Sequence, residues 1–335
     1  MNDTRLLWDD NLVPCNMDTK GCDKVCSDVN AKDYSDIENA VLTGAGKEAD
    51  VLFEAGVTNT LLVNADKETN GQTLYINVNG NDKNQSGKII VNVEDNVTFT
   101  IIENFKGESS TEGRVALRTL IDTGLNSKVR LIQVYMQPES IDVLSDTGCR
   151  LSDNASFEIV QVFVGRGSLY DGIRTELIGN NSAFTADIGY LGAKKQNIDI
   201  NLISNHIGKK TNSGIRVDGA LKDEASKLFR GSIDFKNGSS GSVGAETENV
   251  LLLGEDVRNK TIPLILCAEE DVNGSHGATI GELDEETLFY YASRGIDKKN
   301  AEDIMTKGRI EVIIRKINDE DTEKLAEEQL EEVLQ

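Results

Sequence analysis

Polar and apolar residues alternate in four segments that align without gaps: DNVTFTII at 95–102, LNSKVRLI at 125–132, DNASFEIV at 153–160 and NNSAFTAD at 180–187. Alternation of this kind marks a strand buried on one face. Phe99 and Ile101, Val129 and Leu131, Phe157 and Ile159, then Phe184 and Ala186 fall on that face. The second residue of each segment is an asparagine (Asn96, Asn126, Asn154 and Asn181), at spacings of 30, 28 and 27 residues. Asparagine tolerates left-handed backbone and bonds its own main chain, as a turn requires. One turn signal and one strand start per period predict a solenoid, in which each coil buries its apolar face only by stacking on its neighbours. An all-β sandwich also alternates, but it has no reason to bring corresponding residues back in register. The pattern therefore predicts a mainly β chain built on a right-handed parallel β-helix. Strand-like runs at 88–93, 198–203, 231–235, 250–253 and 262–267 extend it to a core domain over 48–281. The three prolines, Pro14, Pro138 and Pro263, suit a sheet whose amides are nearly all paired.

The flanks read differently. Residues 1–47 form a mixed segment with short helical stretches such as 33–42. Residues 282–335 form a helical segment. Asp284 is placed to cap a helix that stops at Gly295, and Asp297 one that stops at Gly308. Ile310, Ile313, Ile314 and Ile317 make an apolar stripe at helical spacing. Residues 318–335 hold eight acids and one lysine, which reads as a solvated helix.

Composition narrows the possible functions. The chain has 335 residues, 38% apolar and 27% charged, with a formal net charge of −22. Such a charge is repelled by phosphate backbones and anionic lipid, so neither nucleic acid nor a membrane is an expected partner. No apolar run is long enough to span a bilayer. The first residues, MNDTRLLWDDNLVP, lack the basic and apolar regions of a secretion signal. With five cysteines, an odd and sparse number, the expected compartment is the reducing cytoplasm. Cys15, Cys22 and Cys26 cluster as a metal or iron–sulfur site would, but their spacing matches no zinc pattern and no histidine is near. Incidental thiols are the alternative. There is no GxxxxGK[ST] sequence, hence no ATP site of that type in this chain, and no GxSxG. With only His206 and His276, a histidine-based triad or zinc hydrolase has little to stand on.

Residues 263–296 read PLILCAEEDVNGSHGATIGELDEETLFYYASRGI. An apolar run of buried type ends at Cys267, and His276 sits in a Gly-Ser-His-Gly sequence that reads as an exposed turn. Thiolate and imidazole are the usual ligands of iron–sulfur clusters and soft metals. The alternatives are a thiol acting as a small hydrophobe and a histidine that only caps a turn or packs at a dimer contact. Around this stretch, Gly219-Ala220-Leu221, Ala225, Phe229 to Phe235, Gly241, Glu246, Leu251 to Leu253, Pro263-Leu264, His276 to Gly281, Leu288 to Tyr290 and Ser293 to Ile296 follow in order over about 80 residues. This series resembles the carboxy-terminal signature of the SufB/SufD family, the scaffold proteins of the Suf iron–sulfur cluster assembly machinery.

The resemblance implies the β-helix independently of the repeat. It implies a non-catalytic scaffold that pairs, with a SufB-type subunit or with itself, through the last β-helix strands near 246–281. It places a SufC-type ATPase on the carboxy-terminal helices. His276 matches the family histidine at the interface between paired scaffolds, where a nascent iron–sulfur cluster forms. Cys267 matches a position that is also cysteine in SufB-type chains. Two positions depart from the family: Glu248 stands where SufB-type chains carry a cysteine 28 residues before the histidine, and Gly274 where some SufD-type chains carry one. The flanking Ser-His-Gly-Ala-Thr-Ile-Gly is SufD-like. Losing both thiols implies that His276 completes a site whose thiolates come from the partner. Flavin binding stays open. A carbohydrate-active β-helix enzyme of polysaccharide-lyase type is the competing expectation, with an exported structural solenoid or adhesin as a third. Both need export, and the cysteine usage argues against it.

Overall fold

The structure is a computed structural model that describes residues 12–22, 31–56, 59–108 and 112–335. Cys26, part of the amino-terminal cysteine cluster, lies outside them. Two nine-stranded sheets face each other, and consecutive strands alternate between them, so that each coil contributes one strand to each sheet. The first sheet runs from Val13–Pro14 and Thr60–Ala65 to Arg258–Cys267. The second runs from Met17–Lys20 and Thr73–Gly80 to Val272–Gly281. Among the described residues all pairings are parallel except that of Met17–Lys20 with Thr73–Gly80. The expected β-helix is present, and its continuous succession of strands begins at Thr60. Residues 48–56, placed at the start of the coil by the sequence, are helical, within Lys47–Gly56.

The register is the one the asparagines indicate. Phe99 pairs with Val129, Val129 with Phe157, and Phe157 with Phe184. Asn96, Asn126, Asn154 and Asn181 all have positive φ, from 57° to 62°. Their side chains form a ladder: the amides of Asn126, Asn154 and Asn181 each donate to the carbonyl oxygen of the asparagine one coil below, at 3.1, 3.1 and 3.2 Å. Each turn thus satisfies the polar groups of its neighbour, which an isolated hairpin cannot do.

The lumen between the sheets is a packed core, not a channel. Phe105 stacks on Tyr135 at 4.5 Å, Tyr135 meets Phe163 edge-on at 4.8 Å, and Phe157 stacks on Phe184 at 5.6 Å. A polar chain threads it. Thr119 and Gln133 donate to Glu103, and Gln161 donates to both Gln133 and Asp171. Burial pushes both carboxyls, Glu103 and Asp171, up to about 7.

Helices cover both outer faces. Helix α1 (Ala31–Ala40) and helix α2 (Lys47–Gly56) lie on the first sheet. The loop before α2 runs flat on that sheet, because a Cβ on Gly172 would come within 2.1 Å of the Ala45 nitrogen. Buried Asp146 fixes the loop by accepting from the amides of Gly44 and Ala45, while Arg118 bridges Asp146 at 2.6 Å and Asp50 at 2.7 Å.

Helices α3 (Glu285–Ala292), α4 (Lys298–Ile314) and α5 (Glu320–Leu334) follow the last strand. Asp284 and Asp297 cap α3 and α4, accepting from the amides of Thr287 and Asn300. Gly295 has φ +79° and follows α3. Gly308 does not end α4 as expected. The helix continues to Ile314, because Ile310, Ile313 and Ile314 are buried against Ile132, Val134, Val160 and Leu191 of the second sheet. Burial of that face outweighs the roughly 1 kcal/mol that an internal glycine costs a helix. The acidic tail is likewise not wholly solvated: Ala326, Leu330 and Val333 of α5 join the same apolar cluster.

Candidate functional site

The alternation that builds the lumen also builds a charged site at its end. In Ser226–Phe235 every second residue from Lys227 to Phe235 is buried. Lys227 therefore points inward in phase with Phe229, Ile233 and Phe235. In Ser242–Leu253 the same phase turns Glu246 and Glu248 inward. Among the described residues no coil covers Val272–Gly281 on its far side, since Ser242–Leu253 alone pairs with it. His276 is the register partner of Glu246, and partners in parallel strands share a face. His276 thus belongs to the lumen face at its open mouth.

His276 Nδ1 lies 3.1 Å from Glu246 Oε1, with the His276 side chain 23% exposed and that of Glu246 only 2%. Gly231 makes room for the carboxylate, since a Cβ there would sit 2.1 Å from Glu246 Oε2. Burial raises the Glu246 carboxyl above the usual range, and His276 partly offsets the effect. Behind this pair, Lys227 and Glu248 form a fully buried ion pair, and Lys227 Nζ also donates to Thr261 Oγ1 at 3.2 Å. Burial lowers the Lys227 ammonium, and Glu248 pulls it back up. The Tyr190 hydroxyl and one oxygen of Glu248 are buried without hydrogen-bond partners. Burial, reinforced by Glu248, raises the Tyr190 phenol well above its usual value.

Two sequence expectations change here. His276 lies within a strand, not in a turn, and owes its exposure to the end of the stack. Cys267 is exposed instead of buried, because Arg258–Cys267 is the terminal strand of its sheet. Cys267 pairs with Phe235, on the far side of Gly274 from His276 along the chain. A Cβ on Gly274 would approach Ile265 at 2.9 Å and Phe235 at 3.0 Å, so the packing of this layer favours glycine over a thiol-bearing residue. Glu248 is committed to Lys227. Sequence reading missed Lys227, Tyr190 and the role of Glu246 beside His276. The findable signal was a lysine at an inward position of an alternating strand.

Cys15 and Cys22 are buried, and Cys22 Sγ meets Gln72 Oε1 at 3.2 Å. Burial pushes the Cys15 thiol up to about 12, the opposite of a reactive or metal-binding thiolate. Among the described residues, no three His, Cys, Asp or Glu side chains converge as a metal site. None of the described helices is long and apolar enough to cross a membrane. The mouth therefore offers one imidazole on an acid-backed, apolar rim, and one exposed thiol in the same terminal coil.

Comparison with known proteins agrees with this architecture. The family model for the SufBD core domain of the SUF system for FeS cluster assembly matches residues 75–309. The chain is similar to the iron–sulfur cluster assembly protein SufD of Bacillus subtilis, 25% identical over 265 residues, covering 78% of this chain and 60% of that protein. Against SufD of Escherichia coli the identity is 25% over 206 residues, covering 62% of this chain and 49% of that protein. A SufBD family protein of Pyrococcus horikoshii is 28% identical over 193 residues, covering 57% and 43%. The chain thus matches no more than 60% of the length of each of these three relatives.

Proposed function

The chain belongs to the SufB/SufD family of iron–sulfur cluster assembly proteins, and from that premise we propose that it is a SufD-type, non-catalytic scaffold subunit of a Suf complex. The observation that carries the reading is the open end of the β-helix. Both terminal strands have one unpaired edge. Ile262, Leu264, Leu266 and Ile280 stand exposed there at 42–46%. Unpaired edges and apolar patches invite a matching surface. A SufB-type chain, or a second copy, offers the same architecture and can extend the stack across the mouth. His276 then supplies one ligand to a nascent cluster whose thiolates come from the partner. Glu246 holds its Nδ1, which leaves Nε2 as the donor. Cys267 is a second donor on the same coil.

A SufC-type ATPase docks on the carboxy-terminal helices in this reading. The isoleucine stripe of α4 is buried on the second sheet, so the docking surface is Phe289 and Tyr290 of α3, 75% and 52% exposed. The test is co-expression of the full-length chain with SufB-type and SufC-type partners. Leu264→Glu should abolish pairing with the scaffold partner. Phe289→Ala with Tyr290→Ala should release the ATPase alone. His276→Ala should leave the complex intact and lower cluster yield on reconstitution. A stable cluster on the isolated wild-type chain, lost in His276→Ala, would refute assembly in trans. Unchanged co-purification in both surface variants would refute the proposed interfaces.

A further inference from the structure

Helix α4 does not lie flush on the second sheet along its whole length. Near its middle, a cleft of about 530 Å³ opens between them, lined by Arg216 and Asp218 from one strand, Asn249 and Thr279 from the next two, and Ile304, Met305, Gly308, Arg309 and Val312 of α4. One wall is apolar, with Ile304 and Val312 exposed at 47% and 41%. The other wall is polar and built. Buried Asp218 accepts from Arg216 Nε at 2.6 Å and from Asn249 Nδ2 at 2.7 Å, so both its oxygens are engaged and its charge is balanced by Arg216.

Arg309 is different. It is half-buried on the cleft wall. Its guanidinium takes part in no hydrogen bond or ion pair among the described residues. In a chain of net charge −22, where most arginines have found a carboxylate, an arginine on a cleft wall without a protein partner keeps its charge and five donors available to a ligand. Gly308 points to the same place. It sits inside a helix, where glycine is unfavourable, and a Cβ built on it meets nothing within 4 Å. Neither chain reversal nor close packing requires it; it lines the cleft, and a large side chain there would enter it.

We propose that this cleft is a binding site for a small amphipathic organic anion, whose acidic group pairs with Arg309 and whose apolar body lies against Ile304, Met305 and Val312. Asp218 does not repel such a ligand, because Arg216 and Asn249 already neutralise and orient it. The site lies outside the mouth that holds His276, and it stands or falls independently of the scaffold reading. Its occupant bridges α4 to the last strands of the second sheet.

The test uses the full-length chain and 8-anilinonaphthalene-1-sulfonate, an aromatic sulfonate whose fluorescence rises on binding. Wild type should bind it at a single saturable site. Arg309→Gln should weaken binding about tenfold, the loss of one charge-assisted contact. Gly308→Leu, which fills the cleft, should abolish binding without lowering the melting temperature. The uncharged analogue N-phenyl-1-naphthylamine should bind about tenfold more weakly than the sulfonate. Equal probe affinity in wild type and both variants overturns the site. Equal affinity for the neutral analogue overturns the anionic requirement, and saturable binding of inorganic phosphate in place of the aromatic probe overturns the amphipathic class.

Discussion

The chain's two histidines sit in the same architecture and have opposite fates. His206 ends a middle strand with no exposed surface, its Nδ1 2.7 Å from Thr211 Oγ1 and its Nε2 2.8 Å from Ser213 Oγ, and its ring packs 4.7 Å from that of Phe235. Burial lowers it to about 4, so it is a neutral core residue at neutral pH. His276 faces the same lumen from the opposite sheet, in the last strand, where the stack stops. One ring nitrogen meets Glu246, and the other has no partner among the described residues. In a solenoid, what a side chain can do is set by whether another coil covers it. The middle coils are sealed by their neighbours, and the last coil keeps its chemistry available to whatever docks on it.

Several experiments would sharpen or break this contrast. The largest effect belongs to the sealed lumen. Phe157, 1% exposed and stacked between coils, should lose about 3–5 kcal/mol on substitution by alanine. Leu264 in the terminal coil, 45% exposed, should change stability by no more than about 0.5 kcal/mol when treated the same way. Urea denaturation of both variants reads the difference, and similar losses would mean that the last coil is as well packed as the middle.

The boundary between the regions runs through Lys227 and Glu248, both wholly buried. Lys227→Met strands a carboxylate in the lumen and should cost about 3–5 kcal/mol. Adding Glu248→Leu should recover most of that loss, giving a large coupling in a double-mutant cycle. Additive losses would show that the pair is not an isolated buried ion pair.

The asparagine ladder tests the middle coils at their turns. Asn154→Ala places alanine at a φ of 57° and removes two ladder bonds, for a loss of about 1–2 kcal/mol from the backbone alone. Asn154→Gly should regain the backbone part. If glycine is no better than alanine, the ladder bonds and not the backbone carry the turn.

The smallest effect is a slope with pH. The carboxyls of Glu103 and Asp171 rise from 4.5 and 3.8 to about 7 in the lumen. Between those limits the unfolded chain releases protons that the folded chain keeps. Stability therefore falls as pH rises through the window, and the loss is complete above about 7. His206 works in the opposite sense between about 4 and 6.5. Thermal melts between about pH 6.5 and 7.5 isolate the carboxyls. The melting temperature should drop across that interval, and Glu103→Gln should flatten the slope. A melting temperature that stays flat across the interval would show that the lumen carboxyls are already ionised.

Much of the fold was legible because its causes are local. Asn96, Asn126, Asn154 and Asn181 signalled left-handed turns through their own side chains, and strand alternation named Phe99, Val129, Phe157 and Phe184 as stacked core. Asp284 and Asp297 announced their helices by capping chemistry alone. The sequence by itself thus determined the period, the inward face of each coil, the turns and the candidate histidine at the end of the array. The tertiary structure decided what those features become. It carried α4 through Gly308, because the isoleucine face gains more from the second sheet than glycine loses. It paired His276 into a strand and left it and Cys267 exposed, because among the described residues nothing stacks beyond the last coil. It set Glu246 against His276 and Lys227 against Glu248, contacts between residues 21 and 30 positions apart. Local preference acts over a turn or two of chain; coverage and pairing across coils depend on which neighbour arrives from a full period away, and only the assembled stack settles that.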